Sequence, residues 1–401
     1  MRALAFAARS LVRQPGRTAL GILGIAAVGA LLFDMLLLSR GLVVSFRDLL
    51  DSVGFDVRVM STDAAPLGGP RVPHASAIAF ELAALPAIAE AVPVRLTDAE
   101  ASTRGTRPIG FSLMGMDARG RRPWTLTAGR DLGRDAADTP PSLLVNRLLA
   151  DALKASPGDE IAVRVVCAAD RAALPPVPFR IIGVAAFPFD AAAERSGVAS
   201  RASLAIACGG DGGDDADMLL IASREGYGPD AAVAAIRRHR PDLHPATNDE
   251  IVARMQATGF TYFRQISAVL STITLLFGFL LITVLMTVSV NQRLAEIAAI
   301  RALGFSRARV AADVLCQSAL LVGCGGVLAL PLGIALSIWL DAILKAMPGI
   351  PSALHFFVFE PRALLLHAAL LSVTAVLAAV YPMALVATLP IAATLRNEVV
   401  S

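Results

Sequence analysis

The chain has 401 residues, of which 55% are hydrophobic and 17% are charged, and its formal net charge at pH 7 is +3. About one quarter of the residues in a typical soluble domain are charged, so this composition favours a membrane protein and argues against an ordinary soluble enzyme. The small net charge gives no indication of a nucleic-acid partner.

Four long apolar runs predict an α-helical membrane protein with four transmembrane helices. The runs span residues 18–38, 266–290, 314–340 and 363–389, and Asp34 is their only charged residue. Each run exceeds the roughly 18–20 residues that cross about 30 Å of hydrocarbon. The first run is longer than the apolar core of a signal peptide and no A-x-A cleavage site follows it, which favours an uncleaved span.

Arginine placement predicts the orientation of these spans. The segment 1–17 contains four arginines and no acidic residue, and the segment 291–313 also contains four arginines. The loop 341–362 has one lysine and one arginine, which two acidic residues balance. By the positive-inside rule, both termini (1–17 and 390–401) and the segment 291–313 face the cytoplasm.

Residues 55–246 are predicted to form an extracytoplasmic α+β domain inserted between spans one and two. Short β-rich segments such as FDVRVM and FRIIGVAAF alternate with helix-like segments such as LLVNRLLADALKA. The acidic segment GGDGGDD (209–215) favours an exposed loop over a calcium site, because it lacks EF-hand spacing. The sequence leaves open whether Cys167 and Cys208 form a disulfide, which an oxidising compartment would permit.

A helical stalk is predicted on each side of this domain. After span one, residues 39–54 keep an apolar stripe as far as Gly54, a residue that favours a helix end. The alternative is a break at Gly41, which would leave two shorter helices.

The second stalk, residues 247–265, begins with a T-x-x-E capping box at Thr247 and Glu250. No proline interrupts the helical pattern from there to the end of span two. One continuous helix would be about 64 Å long at about 1.5 Å per residue, about twice the hydrocarbon thickness, so its excess would protrude. The alternative is a break at Gly259.

Motifs for nucleotide hydrolysis, metal binding and covalent catalysis are absent from the sequence. It contains no G-x-x-x-x-G-K-[ST], H-E-x-x-H, paired CxxC or G-x-S-x-G motif, so we expect no catalytic, cofactor-binding or metal-binding residues in this chain. His239 and His244 lie in RHRPDLHP, where two prolines favour a polar loop over a metal site. Asp34 is expected near the outer end of its span, where a solvated or paired carboxylate is favoured over a functional one.

Span three carries small residues at four-residue steps, Gly325, Ala329 and Gly333. Small side chains let helices pack closely in lipid. The pattern fits contact within the chain as well as contact with a second copy. Pro331 and Pro382 are expected to kink spans three and four without a role in transport.

The segment NQRLAEIAAIRALGFSRARV (291–310) predicts a short charged helix between spans two and three. Its apolar residues spread over half of the helix circumference among charged ones, which is not the pattern of a membrane-surface helix. Gly304 would end this helix, and Ser306 would cap the helix that becomes span three. These features fit a docking surface presented to the cytoplasm or a plain polar connector.

Part of this segment, EIAAIRALGFSRARV, resembles the E-I-x-x-L-R-A-L-G-x-S-R-x-x-[IV] segment of FtsX/MacB-like ABC-transporter permeases. The opening LAFAARSLVRQPGRTALGILGIAAVGALL and the closing LPIAATLRNE are similar to family segments at the first span and at the C-terminal end. The outer-domain segments LMGMDA…AGRDL, LLVNRLLADAL…PGDEIAV and FRIIGVAAF follow the family's order, so the resemblance covers most of the chain. Ala299 and Ile300 stand where the family often has bulkier aliphatic residues.

The resemblance implies that this segment is a coupling helix seated on a separate cytoplasmic ABC ATPase subunit, which would bind ATP and magnesium. Carried over by position, the contact residues would be Glu296, Ile297, Ile300, Arg301, Leu303 and Gly304. A second permease copy, as a homodimer or heterodimer, is also implied, with a periplasmic adaptor or substrate protein and membrane lipid as further candidate partners. The implied location is the inner membrane of a bacterium, with both termini in the cytoplasm.

The function that the resemblance implies is mechanotransmission by a non-catalytic (type VII) permease. The stalks would transmit ATP-driven motion to the outer domain, for export or extraction of a lipoprotein, lipid, peptide or drug-like cargo. One alternative is a regulator or scaffold that controls extracytoplasmic partners such as cell-wall hydrolases without moving cargo. Another is an anchored binding module that works without ATP. The sequence identifies neither the cargo nor an outer-membrane partner.

Overall fold

The structure, a computed structural model, describes residues 9, 12–13, 15–63, 69–103, 107–117, 120–133, 140–167, 174–210, 214–258, 261–292, 306–347, 350–358 and 361–388. The chain divides into two compact units. The helical unit comprises Met1–Leu42, Gly259–Ala342 and Phe356–Ser401, and the sheet unit comprises Val43–Thr258 and Ile343–His355.

Long helices lie toward both ends of the described chain, and the strands and shorter helices lie between them. The helices are α1 (Pro15–Ser52), α2 (Ala75–Ala83), α3 (Arg147–Leu153), α4 (Arg201–Ala207), α5 (Gly228–His239), α6 (Asn248–Thr258), α7 (Thr261–Asn291), α8 (Arg307–Lys345) and α9 (Pro361–Thr388). The strands are β1 (Val57–Met60), β2 (Ile88–Ser102), β3 (Ile109–Met116), β4 (Thr125–Gly129), β5 (Ser142–Val145), β6 (Glu160–Val165), β7 (Val177–Ala186), β8 (Ser196–Ala199), β9 (Met218–Ser223) and β10 (His244–Thr247).

Four of the described helices contain stretches that are long and apolar enough to cross a membrane. These stretches are Thr18–Ser52 in α1, Gln265–Val288 in α7, Leu315–Lys345 in α8 and Pro361–Ala384 in α9. Large apolar side chains on α7, α8 and α9, such as Phe277, Val327 and Leu365, are more than half exposed. Apolar surface on this scale is unsuited to water and suits hydrocarbon. The prediction of four long apolar helices is therefore confirmed.

All four long helices contribute to one apolar cluster inside the helical unit. Ile25 of α1, Ile282 of α7, Leu321 of α8 and Leu371 of α9 are buried there. Helices α8 and α9 also continue past their internal prolines, Pro331 and Pro382.

The sheet unit is built on a mixed sheet that has ten strands among the described residues. The strand order is β10-β1-β9-β2-β3-β8-β5-β7-β4, and β6 pairs with both β2 and β7. Strands β3 and β8 pair in parallel, as do β5 and β7, whereas the remaining pairs are antiparallel. A mixed sheet with helices packed against it agrees with the prediction that the inserted domain contains both helices and strands.

The long strand β2 passes through three apolar cores of the sheet unit. Its residue Ile88 lies in a core with α2 and α5, and Val94 lies in a middle core with Phe55 and Trp124. Farther along the strand, Ala101 lies in a core with α3 and α4. Because one strand contributes to all three cores, burial of its side chains links them into a single folded unit.

The histidines predicted to lie in a polar loop belong instead to regular elements. His239 is the last residue of α5, and His244 is the first residue of β10. Proline is usually excluded from central strands because it cannot donate to the hydrogen-bond ladder. Strand β10 tolerates Pro245 because it lies at an end of the described strand order and pairs with β1. The loop prediction was wrong for this physical reason.

The predicted capping box at the start of α6 is confirmed. The Thr247 backbone N–H donates to Glu250 Oε2 at 3.3 Å, and the Glu250 N–H donates to Thr247 Oγ1 at 3.1 Å. These bonds satisfy backbone groups that the first helical turn leaves without partners. Gly259, the candidate break in the second stalk, lies outside the described residues.

Helix α1 continues through Gly41 and ends at Ser52, so the alternative of a break at Gly41 is wrong. Gly54 follows the helix with φ +76°, a conformation that favours glycine, and its N–H donates to the Asp51 carbonyl at 3.0 Å. The helix thus includes residues of both the predicted first span and the predicted first stalk. The mechanical role of that stalk stays a prediction.

The end of α1 and the start of α6 are joined by a buried polar network around Asn248. The Asn248 side-chain N–H₂ donates to Asp51 Oδ1 at 2.6 Å and to the Phe55 carbonyl at 3.0 Å, and its Oδ1 accepts from Arg58. Asn248 is 4% exposed and Arg58 is 6% exposed. Burial lowers the pKa of Arg58 to about 10, although Asp51 and Asp56 oppose this shift, so the guanidinium is charged at neutral pH.

A disulfide between Cys167 and Cys208 answers the question that the sequence leaves open. It joins the residues that follow β6 to the end of α4, with an S–S distance of 2.07 Å and a sequence separation of 41 residues. Both cysteines are buried in the core that contains α3 and α4. The bridge therefore closes a long loop around that core.

We predict that replacing both cysteines, Cys167→Ala with Cys208→Ala, lowers the unfolding free energy of the sheet unit by about 4 kcal/mol. The reason is the chain entropy regained when a loop of this length is no longer closed in the unfolded state. Thermal unfolding followed by the fluorescence of the buried Trp124 measures the change, in a Trp339→Phe background that leaves this one tryptophan. The matched control replaces the free cysteines Cys316 and Cys324. An equal loss of stability in both pairs would contradict the prediction.

We also predict that Asn248→Ala lowers the unfolding free energy of the sheet unit by about 1–3 kcal/mol. The substitution leaves the buried Arg58 guanidinium and Phe55 carbonyl without the hydrogen bonds that Asn248 makes, which is the costly way to lose a polar contact. Asp249→Ala is the control, because its ion pair with Arg47 is more than half exposed on both sides and should contribute less than about 1 kcal/mol. The same fluorescence measurement applies, and equal effects of the two variants would refute the role assigned to Asn248.

Candidate functional site

The six predicted coupling residues lie in the connection between α7 and α8. Helix α7 ends at Asn291 and helix α8 begins at Arg307, directly after Ser306. A serine at that position is well suited to cap the following helix. The coupling residues themselves lie outside the described part of the chain; they are Glu296, Ile297, Ile300, Arg301, Leu303 and Gly304.

The small residues predicted for helix packing lie on α8 where it contacts α1. A Cβ atom on Gly325 would lie 2.6 Å from Ile25 Cγ2, and one on Gly333 would lie 3.1 Å from the Ala30 carbonyl oxygen. Ala329, between them, is fully buried. The two glycines therefore let α1 and α8 approach closely, and van der Waals packing at close approach contributes to helix association in lipid. The structure thus provides a partner within the same chain for this small-residue pattern.

A polar pair lies at the same contact between α1 and α8. Asp34 of α1 is 2% exposed, and Ser337 of α8, one turn beyond Gly333, donates its hydroxyl hydrogen to Asp34 Oδ1. Of the two interpretations of Asp34 favoured from the sequence, the paired carboxylate is the one found. Because few polar partners exist among apolar helices, this bond favours one register of α1 against α8.

Helix α9 adds a buried histidine to this region. His367 is 2% exposed, and its ring centroid lies 5.1 Å from that of Phe33 on α1. Neither ring nitrogen has a hydrogen-bond partner among the described residues. Sequence reasoning passed over His367, although a lone histidine inside a long apolar run is the signal that could have identified it.

The connection between α8 and α9 packs against α1 inside the helical unit. A Cβ atom on Gly41 would lie 2.2 Å from the Phe356 carbonyl oxygen, so only glycine lets the two backbones approach this closely. The Phe356 N–H donates to Asp341 Oδ1 at 2.7 Å. Gly41 therefore serves as a backbone crossing point, which explains why a glycine lies within an unbroken helix.

Residues of the same α8–α9 connection are part of the sheet unit, a contact that the sequence does not indicate. The Ser352 N–H donates to the Asp190 carbonyl at 2.8 Å, and Pro351 forms an isolated bridge with Ala191. The His355 N–H donates to Ser45 Oγ, on the last part of α1, at 2.7 Å. The segment 343–355 therefore belongs to the sheet unit although it is far in sequence from the rest of that unit, Val43–Thr258.

The Asp190 carboxylate organises the sheet side of that contact. Its Oδ2 accepts from Asn146 Nδ2 at 2.7 Å and from the Ser196 hydroxyl. Burial raises the pKa of Asp190, although both hydrogen bonds oppose the shift. The turn that receives Ser352 is therefore held by side chains from two other parts of the sheet unit.

Residues 268–391 match the FtsX-like permease C-terminal family. No curated protein sequence matches the chain.

Three solved structures are similar to part of the chain. The periplasmic region of MacB from Actinobacillus actinomycetemcomitans is 13% identical, with 53% of this chain and 99% of that one covered and a TM-score of 0.38. The extracellular domain of the noncanonic ABC-type transporter YknZ from Gram-positive bacteria is 13% identical, with 48% and 98% covered and a TM-score of 0.35. A domain of a permease protein from Porphyromonas gingivalis is 15% identical, with 48% and 88% covered and a TM-score of 0.30.

The family match begins inside α7 and includes all of α8 and α9. It also includes the whole connection between α7 and α8, where the predicted coupling residues lie. Through residues 268–391, the chain is therefore similar to the C-terminal region of FtsX-like permeases.

Proposed function

We propose that the chain is the membrane subunit of an ABC transporter and transmits ATP-driven motion of a separate ATPase to its sheet unit. The family match over 268–391 is the observation that carries this proposal, because it includes the connection that would meet the ATPase. The chain itself would be non-catalytic and would bind no cofactor. The proposed result of the transmitted motion is export or extraction of a lipoprotein, lipid, peptide or drug-like cargo.

In this proposal the four apolar helices span a bacterial inner membrane, with both termini and residues 291–313 in the cytoplasm. The distribution of arginines supports that orientation. The disulfide between Cys167 and Cys208 gives independent support, because disulfides persist in oxidising compartments and are rare in the cytoplasm. The sheet unit would therefore lie outside the cytoplasm.

The proposed transmission depends on stiff connections. Helix α1 has no break between Pro15 and Ser52, and the Asn248 side chain bonds its end to the start of α6. Buried hydrogen bonds of this kind resist separation of the two connections, since each lost bond would leave a polar group without a partner. A displacement of the helices would then act on the sheet unit at bonded positions.

The proposed partners are a cytoplasmic ATPase and a second permease copy. Arg301 and Leu303 are the best residues for testing the first contact, because one offers a charge and the other an apolar side chain within the predicted coupling helix. Arginine is enriched among the few residues that dominate a protein interface.

We predict that Arg301→Glu combined with Leu303→Asp reduces recovery of a phosphate-loop ATPase with the tagged chain by more than about tenfold. Loss of an interface hot spot costs about 2 kcal/mol or more, and each 1.4 kcal/mol is about a factor of ten in affinity. The measurement is quantitative co-purification from mild detergent. Arg362→Glu, an equal charge reversal at the start of α9, should leave recovery unchanged. Unaltered recovery of the ATPase with the double variant would refute the coupling assignment.

We predict that a cysteine at position 159 and a cysteine at position 301 lie on opposite sides of the membrane. In a background without Cys316 and Cys324, a membrane-impermeant maleimide should label Asp159→Cys in intact spheroplasts. It should label Arg301→Cys only after permeabilisation, because the reagent cannot reach the cytoplasm. Labelling of both positions in intact spheroplasts would show that the coupling segment cannot meet a cytoplasmic ATPase.

Reconstitution of the purified complex in proteoliposomes distinguishes a transport function from a regulatory one. A transporter should move or extract cargo from proteoliposomes in an ATP-dependent manner. A regulator would instead change the activity of a bound extracytoplasmic hydrolase without any movement of cargo.

A further inference from the structure

A polar cavity of about 280 Å³ lies within the sheet unit, beside α4. It is near the lower end of the roughly 300–1,000 Å³ that small-molecule pockets occupy. Its apolar wall comes from α4, including Leu204 and Ala205. The polar lining consists of Ser76, Arg95, Asp117, Arg201, Asp214 and Asp215.

Most of this polar lining is already paired. Arg201 donates to Ser76 Oγ at 2.7 Å and to Asp214 Oδ1 at 2.8 Å. Asp214 also accepts from the Ser76 backbone N–H, and Asp117 accepts from the Arg201 N–H at 3.0 Å. The rim of the cavity is therefore held in place by its own hydrogen bonds.

Arg95, also in the cavity lining, has a different environment from these paired residues. It lies on β2 opposite Gly115 of β3, and it is 8% exposed. Its Nε is buried and has no hydrogen-bond partner among the described residues. Gly115 has no Cβ atom, and one there would lie 2.7 Å from Leu204 Cδ2, so the Leu204 side chain already packs against this glycine.

A buried guanidinium with an Nε–H donor that lacks an acceptor is unfavourable to folding. Burial lowers the pKa of Arg95, Arg71 and Arg201 add to this shift, and the carboxylates of Asp217 and Asp215 oppose it. Those carboxylates act through their charge and leave the Nε donor unused. An oxyanion in the cavity would supply the missing acceptor, and planar two-oxygen groups match the guanidinium best.

We propose that this cavity binds the carboxylate or phosphodiester group of a small ligand through Arg95. The bound group would carry a single negative charge, because three aspartates line the same cavity and would repel a second one. The remainder of the ligand would be neutral or cationic. The inference concerns the sheet unit alone and does not depend on the permease function proposed above.

The test uses the full chain in detergent, with Trp339→Phe so that fluorescence reports the sheet unit through Trp124. Sodium acetate and sodium dimethyl phosphate are titrated against sodium chloride at equal ionic strength. At least one of the two anions should raise the unfolding midpoint with half-saturation at about 1–10 mM, the range expected for so few atoms. The anion with the stronger effect assigns the site to carboxylates or to phosphodiesters.

Arg95→Met should weaken this binding at least about tenfold and should not lower the unfolding midpoint measured in chloride. The second expectation follows because the substitution removes a buried charge whose Nε has no acceptor. Arg95→Lys should bind with intermediate strength, since it keeps the charge and loses the fork of donors. Arg147→Met, which removes an exposed arginine outside the cavity, should bind like the unaltered chain.

Three results would overturn the proposal. The first is the absence of any anion-dependent rise in midpoint with the unaltered chain. The second is an undiminished rise with Arg95→Met. The third is a lower midpoint of Arg95→Met in chloride, which would show that the guanidinium stabilises the fold and does not await a ligand.

Discussion

The hydrogen bonds of Asn248 are the constraint on which the connections of the sheet unit depend. One amide side chain bonds to the end of α1, to the carbonyl that follows it and to a buried arginine of the first strand. Each of these groups would be costly to bury alone, and together they satisfy one another. Two chain segments that are distant in sequence therefore meet the sheet at one point.

Different interactions stabilise the helical unit and the sheet unit. In the helical unit, large apolar side chains face outward. Between helices in lipid, burial of apolar surface gives little preference for one arrangement over another. The close contacts at glycines and the Asp34–Ser337 hydrogen bond therefore specify how the helices pack. In the sheet unit, side chains of β2 are buried in three successive cores, and a disulfide closes a loop around one of them.

Two buried arginines of the sheet unit, Arg58 and Arg95, differ in their hydrogen-bond partners. Arg58 has a hydrogen-bond acceptor in Asn248, and its charge contributes to holding the connections. Arg95 has a cavity beside it and no acceptor for its Nε among the described residues. A protein that retains an unfavourable buried charge sacrifices stability, and such positions are commonly associated with function. This contrast is what distinguishes a structural arginine from a binding one.

The sequence alone determined the four apolar helices and the capping box of α6, because length, lack of charge and contacts within four residues are local properties. It also suggested the permease family through the segment between spans two and three, although the coupling role of that segment stays a prediction. Only the tertiary structure decided the partners: Ser337 for Asp34, which is 303 residues away, α1 for the small residues of α8, and Cys208 for Cys167. It also placed Pro245 in an end strand and residues 343–355 in the sheet unit. Such pairings depend on which distant surfaces meet when the chain folds, and no local pattern of residues encodes that choice.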